Sequence, residues 1–274
     1  MGPAEALAIL GVGGAAGAVN AVVGSGSLIT FPTLLAFGFP PVVANVSNNV
    51  GLVPGNVSGA IGYRRELAGQ RARLVRLGVI AAAGSAGGAA ALLSLPASSF
   101  QVIVPVLILI ACALVLVQPW LSRWITAWRA RRDGSAGGRA AAGSGGRSPE
   151  PPAEGREPLS PVLGAGILTS AAYGGYFGAA QGVLVIGLLG TFLDETMQRV
   201  NGAKNVLVAV VNGVAAVVYL IFAHVAWPVV LLIAAGSTVG GALGARFGRR
   251  LPPLALRIFV VVIGVVSAVK LLFF

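Results

Sequence analysis

The stretch 45–63, NVSNNVGLVPGNVSGAIGY, decides the fold, because its pattern returns at 201–219 as NGAKNVLVAVVNGVAAVVY. Asn45 falls on Asn201, Asn49 on Asn205, Asn56 on Asn212 and Tyr63 on Tyr219, all at an offset of 156. Spacings of four, seven and seven return to one face of an α-helix, so each copy predicts a helix with a polar stripe on apolar flanks. Upstream, the same offset pairs Gly26 with Gly182 and Leu28 with Leu184. A pattern of that length, repeated without a gap, marks a duplicated architecture.

Composition identifies the solvent around those stripes. Of the 274 residues, 56% are hydrophobic and only 10% charged, with a mean hydropathy of +0.89. A soluble domain carries about 25% charge to face water, so this chain reads as an integral membrane protein. Amides in hydrocarbon are costly without partners, and both stripes must therefore face protein or a water-filled cavity. Forty glycines in such a chain point to close helix packing and broken helices.

The basic residues give the topology. Sixteen of the 19 Lys and Arg lie in three clusters: Arg64, Arg65, Arg71, Arg73 and Arg76; Arg123, Arg129, Arg131, Arg132, Arg139, Arg147 and Arg156; and Arg246, Arg249, Arg250 and Arg257. Each lies between apolar segments, as cytoplasmic loops do, and so the net charge of +11 reads as positive-inside rather than as a nucleic-acid surface. Residues 94–100 and 224–228 hold no Lys or Arg and read as external. No basic n-region opens the sequence, so no removed signal peptide is expected.

Counting crossings between these landmarks gives three full spans per half: Pro41–Tyr63, Val75–Leu95 and Phe100–Trp120, then Thr196–Ala223, Trp227–Ala245 and Leu254–Phe274. An odd number of spans inverts the second half relative to the first. One apolar stretch per half is left over, 4–37 and 161–193. Each divides at a break, Gly24-Ser25-Gly26-Ser27 or Gly178-Ala179-Ala180-Gln181-Gly182, followed by about 11 apolar residues. Those reach about 16 Å, half a bilayer core. The predicted fold is an all-α polytopic membrane protein of two inverted repeats, each a Gly-broken re-entrant helical hairpin plus three transmembrane helices. The repeats are 1–128 and 161–274. They are joined by a disordered cytoplasmic linker, 129–160, whose Gly/Ala/Pro/Ser/Arg composition shows no apolar period.

The chemistry is expected at the breaks, since irregular backbone at membrane depth survives only against protein or a cavity. Lys204 sits about 13 Å into its helix and is the one charge inside the seam. Its alternatives are an anion-site lysine, or an ammonium that snorkels or pairs with Asp194 or Glu195. Arg199, nearer the helix end, is expected at the interface. Helix N-termini at the breaks add partial positive charge. Ser25, Gly26, Ser27, Asn45, Asn49, Gln181, Gly182, Asn201, Lys204 and Asn205 together suit a small anion. Asn56, Tyr63, Asn212 and Tyr219 are assigned to the seam between helices. The single Cys112 and single His224 leave no basis for a disulfide, a metal site or a thiol relay, and no cofactor is expected.

These features resemble the TauE/SafE family of sulfite and organosulfonate exporters, over nearly the whole chain apart from the linker. The resemblance is carried by the duplicated layout and by four stretches: 24–32 (GSGSLITFP), 44–49 (ANVSNN), 198–207 (QRVNGAKNVL) and 239–246 (VGGALGAR). The family's G-x-G-G-G motif, followed by proline, is Gly-Ser-Gly-Ser in the first half, and in the second it is altered to residues 178–182 without a proline. The resemblance implies secondary export of sulfite, an organosulfonate or a related oxyanion across the plasma (inner) membrane, with the Arg-rich loops cytoplasmic. An anion channel is the alternative, as is a carrier for another small sulfur- or carboxylate-containing anion. No Walker motif is present, and an inside-negative potential favours anion exit by about 2.3 kcal/mol per 100 mV. Asp194, Glu195 and His224 are the candidates for proton coupling. An enzyme is not expected: an intramembrane Gly-x-Ser-Gly site would need glycine where Val23 stands. The expected partners are the anion and the bilayer, with a second copy of the chain as the one possible protein partner.

Overall fold

The computed structural model describes residues 1–140, 159–247 and 253–273. Arg147, Arg156, Arg249 and Arg250 of the basic clusters, and most of the expected linker, lie outside them. The described residues form ten helices and no strand: α1 Pro3–Val22, α2 Ser27–Ala36, α3 Pro41–Gly62, α4 Arg71–Ser94, α5 Ala97–Ala140, α6 Pro161–Tyr176, α7 Gln181–Phe192, α8 Met197–Phe222, α9 Trp227–Phe247 and α10 Pro253–Phe273. α3 and α8, α4 and α9, and α5 and α10 each begin 156 residues apart, the offset of the asparagine stripes. The start of the expected linker continues α5, which runs on to Ala140.

Glycine sets the packing. α1 lies along α9, with Gly13 against Ile233, Gly17 against Ser237 and Gly240 against Gly14, so the two run in the same direction. α3 joins them in that direction, Gly51 meeting Ile233 and Gly62 meeting Ala245. Likewise α4 runs beside α6, Gly84 against Leu168 and Gly88 against Ala172, and Ser85 Oγ donates to the Val211 carbonyl of α8 at 2.6 Å. α3 runs against α8: Asn49 reaches Asn212 near one end and Tyr63 reaches Asn201 near the other. Glycines four apart let backbones approach where side chains would hold them off, the usual device of helix association in lipid. The first helix of each half thus packs most extensively on the fourth helix of the other.

Among the described residues, five helices are long and apolar enough to cross a membrane: α1, α4, the 102–120 portion of α5, α8 and α9. Two expected spans are missing from that set. α3 has 22 residues but carries Asn45, Asn48, Asn49 and Asn56, all buried, against α8 and α9. A helix enclosed by protein need not be apolar all round. α10 has 21 residues, Pro253–Phe273, the length of a span, and Val260–Val269 is its continuous apolar stretch among the described side chains. α1, expected as the longer arm of a hairpin, is long enough to span by itself. The short arms α2 and α7 have 10 and 12 residues.

Candidate functional site

α1 ends because Gly24 takes a left-handed conformation, φ +85°, and its N–H reaches back to the Val19 carbonyl. This is the glycine C-cap that closes many helices. Gly178, φ +79°, ends α6 in the same way on the Tyr173 carbonyl. The two caps are 154 positions apart, so the 156-residue register of the later helices slips by two at the breaks. Ser27, Gln181 and Gly182, read from sequence as part of the breaks, belong instead to the first turns of α2 and α7. Ala180 is also left-handed, φ 57°, and is fully buried.

The two breaks touch. Gly182 N–H donates to the Gly24 carbonyl at 3.2 Å, and a Cβ on either glycine would lie 2.6 Å from the other's Cα. Behind them each short arm folds back along the longer helix: Gly26 packs on Ala16 while Leu34 reaches Ile9, and Gly174 packs on Gln181 while Gly166 meets Leu188. Phe31 of α2 closes over Phe177 of the second break, edge to face at 5.3 Å.

The stripe of α8 docks on the C-terminal end of α1. Lys204, with no exposed surface, donates from Nζ to the Asn20 carbonyl at 2.9 Å and the Ala21 carbonyl at 3.2 Å. Among the described residues its ammonium neither reaches the surface nor pairs with Asp194 or Glu195, and Glu195 binds Arg73 and Arg199 instead. It rests on carbonyls that the last turn of α1 leaves open, at the negative end of that helix's dipole. Asn201 and Asn205 also donate to the Ala21 carbonyl, at 3.3 and 3.2 Å. Three donors thus converge on one oxygen, which has two lone pairs. Asn201 Nδ2 additionally donates to the Tyr63 hydroxyl at 2.8 Å. On the opposite side the α3 stripe docks on the end of α6, with Asn45 donating to the Tyr176 carbonyl at 3.0 Å.

Among the remaining predicted residues, Asn49 donates to Asn212 Oδ1 at 3.3 Å, Asn56 accepts from Asn20, and the Tyr219 hydroxyl donates to the Gly175 carbonyl. Ser25 Oγ and both polar atoms of the Gln181 amide are buried without a partner. Asn49 Oδ1, Asn56 Nδ2 and Asn201 Oδ1 are in the same condition. Arg199 is bonded to Glu195 and to the Ala68 carbonyl. His224 is exposed in the turn before α9, away from the seam.

Sequence reasoning missed three contributors. Asn20 bridges Asn56 and the Gly26 N–H. Asn48 accepts from the Thr30 hydroxyl and stands 156 residues before Lys204, so aligning the repeats would have exposed it. Gln118 donates to the Val23 carbonyl at 3.4 Å with its own oxygen unpartnered. It is the one amide in the otherwise apolar run 102–120.

A polytopic helical bundle that closes two broken helices and a lysine around a buried polar centre belongs to the class of membrane transporters. The sequence profile of the sulfite exporter TauE/SafE family matches residues 9–271. The chain belongs to that family. It is 24% identical over 265 residues to a probable membrane transporter protein of Haemophilus influenzae, covering 96% of this chain and 92% of the relative. No solved structure matches the chain at a significant level.

Proposed function

We propose that the chain is a secondary transporter that exports sulfite, an organosulfonate or a related small oxyanion by alternating access. The anion binds between the halves, where the breaks cross beneath Lys204. The observation that carries this reading is the surplus of donors at the Ala21 carbonyl. Lys204, Asn201 and Asn205 crowd one oxygen, and no carboxylate pairs with Lys204 among the described residues. An oxyanion offers more lone pairs than that carbonyl and full charge for the ammonium, so its arrival draws the three donors away from α1. The same exchange frees the end of α1 and couples binding to movement of its hairpin. Burial of Ser25, Gln181 and Lys204 fits a carrier that closes over its site.

In this reading the halves are an inverted repeat and the α1–α2 and α6–α7 pairs are re-entrant hairpins. Support comes from the opposed directions of α3 and α8 and from the folding of each short arm back along its helix. The Arg64–Arg76 loop, Arg199 and Arg246 gather at one end of the bundle. By the positive-inside rule that end is cytoplasmic, and export from the cell then calls for the plasma membrane.

The test is efflux of sulfite from proteoliposomes under an imposed potential. Wild type is expected to give saturable, potential-dependent efflux. Lys204→Met should lose at least 90% of it, while Lys204→Arg keeps the charge and recovers part. Efflux unchanged in Lys204→Met would remove the lysine from the site. Flux that never saturates would replace the carrier with a channel.

A further inference from the structure

Away from the seam, the outer flank of α3 and α9 holds a groove of about 1140 Å³ at the basic end of the bundle. Its floor is apolar and made of small or short side chains: Val57 and Ile61 from α3, Ala242 and Ala245 from α9. Val57 and Ile61 are 43% and 56% exposed, on a helix whose other face is enclosed. In a membrane-spanning bundle that flank faces acyl chains. Its rim is charged, with Arg64, Arg65 and Arg246 against a single carboxylate, Glu66. The Arg246 guanidinium, in the last turn of α9, lies 5.4 Å from the centre of the Phe247 ring.

We propose that this groove binds one anionic phospholipid, its phosphate among Arg64, Arg65 and Arg246 and an acyl chain along the floor between α3 and α9. Charge complementarity selects the headgroup, because three guanidinium groups oppose one carboxylate at the height where lipid phosphates lie. The floor and the volume select a lipid over a soluble anion. The groove is larger than the roughly 300–1,000 Å³ of ordinary small-molecule pockets, and a free oxyanion has nothing to place against Val57 and Ile61. A lipid wedged between α3 and α9 touches the two helices that flank α1, and so its occupancy bears on the rigidity of that trio.

The test uses the full chain purified in detergent and titrated separately with phosphatidylglycerol, phosphatidylcholine and inorganic phosphate. Retained lipid is counted by native mass spectrometry, and the thermal midpoint is followed alongside. Phosphatidylglycerol is expected to be retained at least tenfold better than phosphatidylcholine and to raise the midpoint. Inorganic phosphate should do neither. Replacing all three arginines (Arg64→Gln, Arg65→Gln, Arg246→Gln) should bring phosphatidylglycerol down to the phosphatidylcholine level. Ala242→Phe leaves the charges in place and fills the floor. It should lose the bound lipid too, and it carries the test if the triple variant fails to fold. Equal retention of the two lipids by wild type overturns the proposal, as does retention unchanged in Ala242→Phe. A midpoint shift reproduced by inorganic phosphate alone would make the rim a soluble-anion site. A wild-type dimer that Ala242→Phe converts to monomer would make the flank an interface between copies.

Discussion

The crossing of the two breaks can be tested by three alanine substitutions that separate backbone strain from steric contact. Gly24→Ala combines both. Its φ of +85° costs a residue with a Cβ about 1–2 kcal/mol, and the new Cβ would sit 2.6 Å from Gly182 Cα, an overpacking worth about 1–3 kcal/mol more. Gly178→Ala carries mainly the strain: its φ is +79°, and the new Cβ meets only the Gly174 carbonyl oxygen, at 3.1 Å. Gly182→Ala carries only the contact, 2.6 Å from Gly24 Cα and 3.1 Å from Lys204 Cδ. The expected losses are about 2–5, 1–2 and 1–3 kcal/mol respectively. At about 2–4 °C per kcal/mol for a chain of this size, Gly24→Ala should lower the thermal midpoint by roughly 4–20 °C and the others by roughly 2–12 °C. The four tryptophans give the fluorescence readout. Transport distinguishes them further, because Gly182→Ala displaces Lys204 and should depress efflux more than Gly178→Ala at equal stability. Gly24→Ala no worse than Gly178→Ala, with Gly182→Ala silent, would show that the breaks do not meet.

Other expectations follow from single contacts. Gly88→Leu should separate α4 from α6 and cost more than 2 kcal/mol, since even a Cβ there would lie 1.9 Å from the Ala172 carbonyl. Gly87→Leu, which has open space, should be nearly neutral, and thermal midpoints compare the pair. A double-mutant cycle of Asn20→Ala and Asn56→Ala should return a coupling of about 0.6–2 kcal/mol, read from unfolding in mixed micelles. Glu195→Gln removes the partner of Arg73 and Arg199. It should cost at most about 1 kcal/mol, with the difference from wild type shrinking as salt is raised.

The stripes on α3 and α8 were legible because amides are too costly in lipid to be placed at random, and helical spacing then fixes their face. Helix starts repeated at 156 residues have the same origin. The destination of Lys204 was not legible. It depends on which carbonyls the last turn of α1 leaves open, and that becomes definite only once Gly24 has turned the chain. The two-residue slip between Gly24 and Gly178 escaped for a related reason. Glycine and alanine both occupy the left-handed positions of the second break, so residue identity no longer marks the turn. Pairing of α1 with α9 and of α4 with α6 was equally hidden, since small residues four apart occur on all of these helices and specify closeness without naming a partner. α3 failed the apolarity expected of a span for the very reason that it carries the seam.

The exchange of first helices between the halves also sets an order of assembly. α1 is complete at Val22, but α9, whose backbone from Ile233 to Gly241 its Gly13, Gly14 and Gly17 accept, is complete only at Phe247. At about 5–20 residues per second of synthesis, α1 waits roughly 10–45 seconds in the membrane before its mate emerges. α4 waits for α6 in the same way, over a shorter interval that includes the connection after α5. Neither half can therefore finish folding while the other is still on the ribosome. A chain released before α9 is made leaves the glycine face of α1 bare, which distinguishes an unfinished copy from a finished one in the membrane.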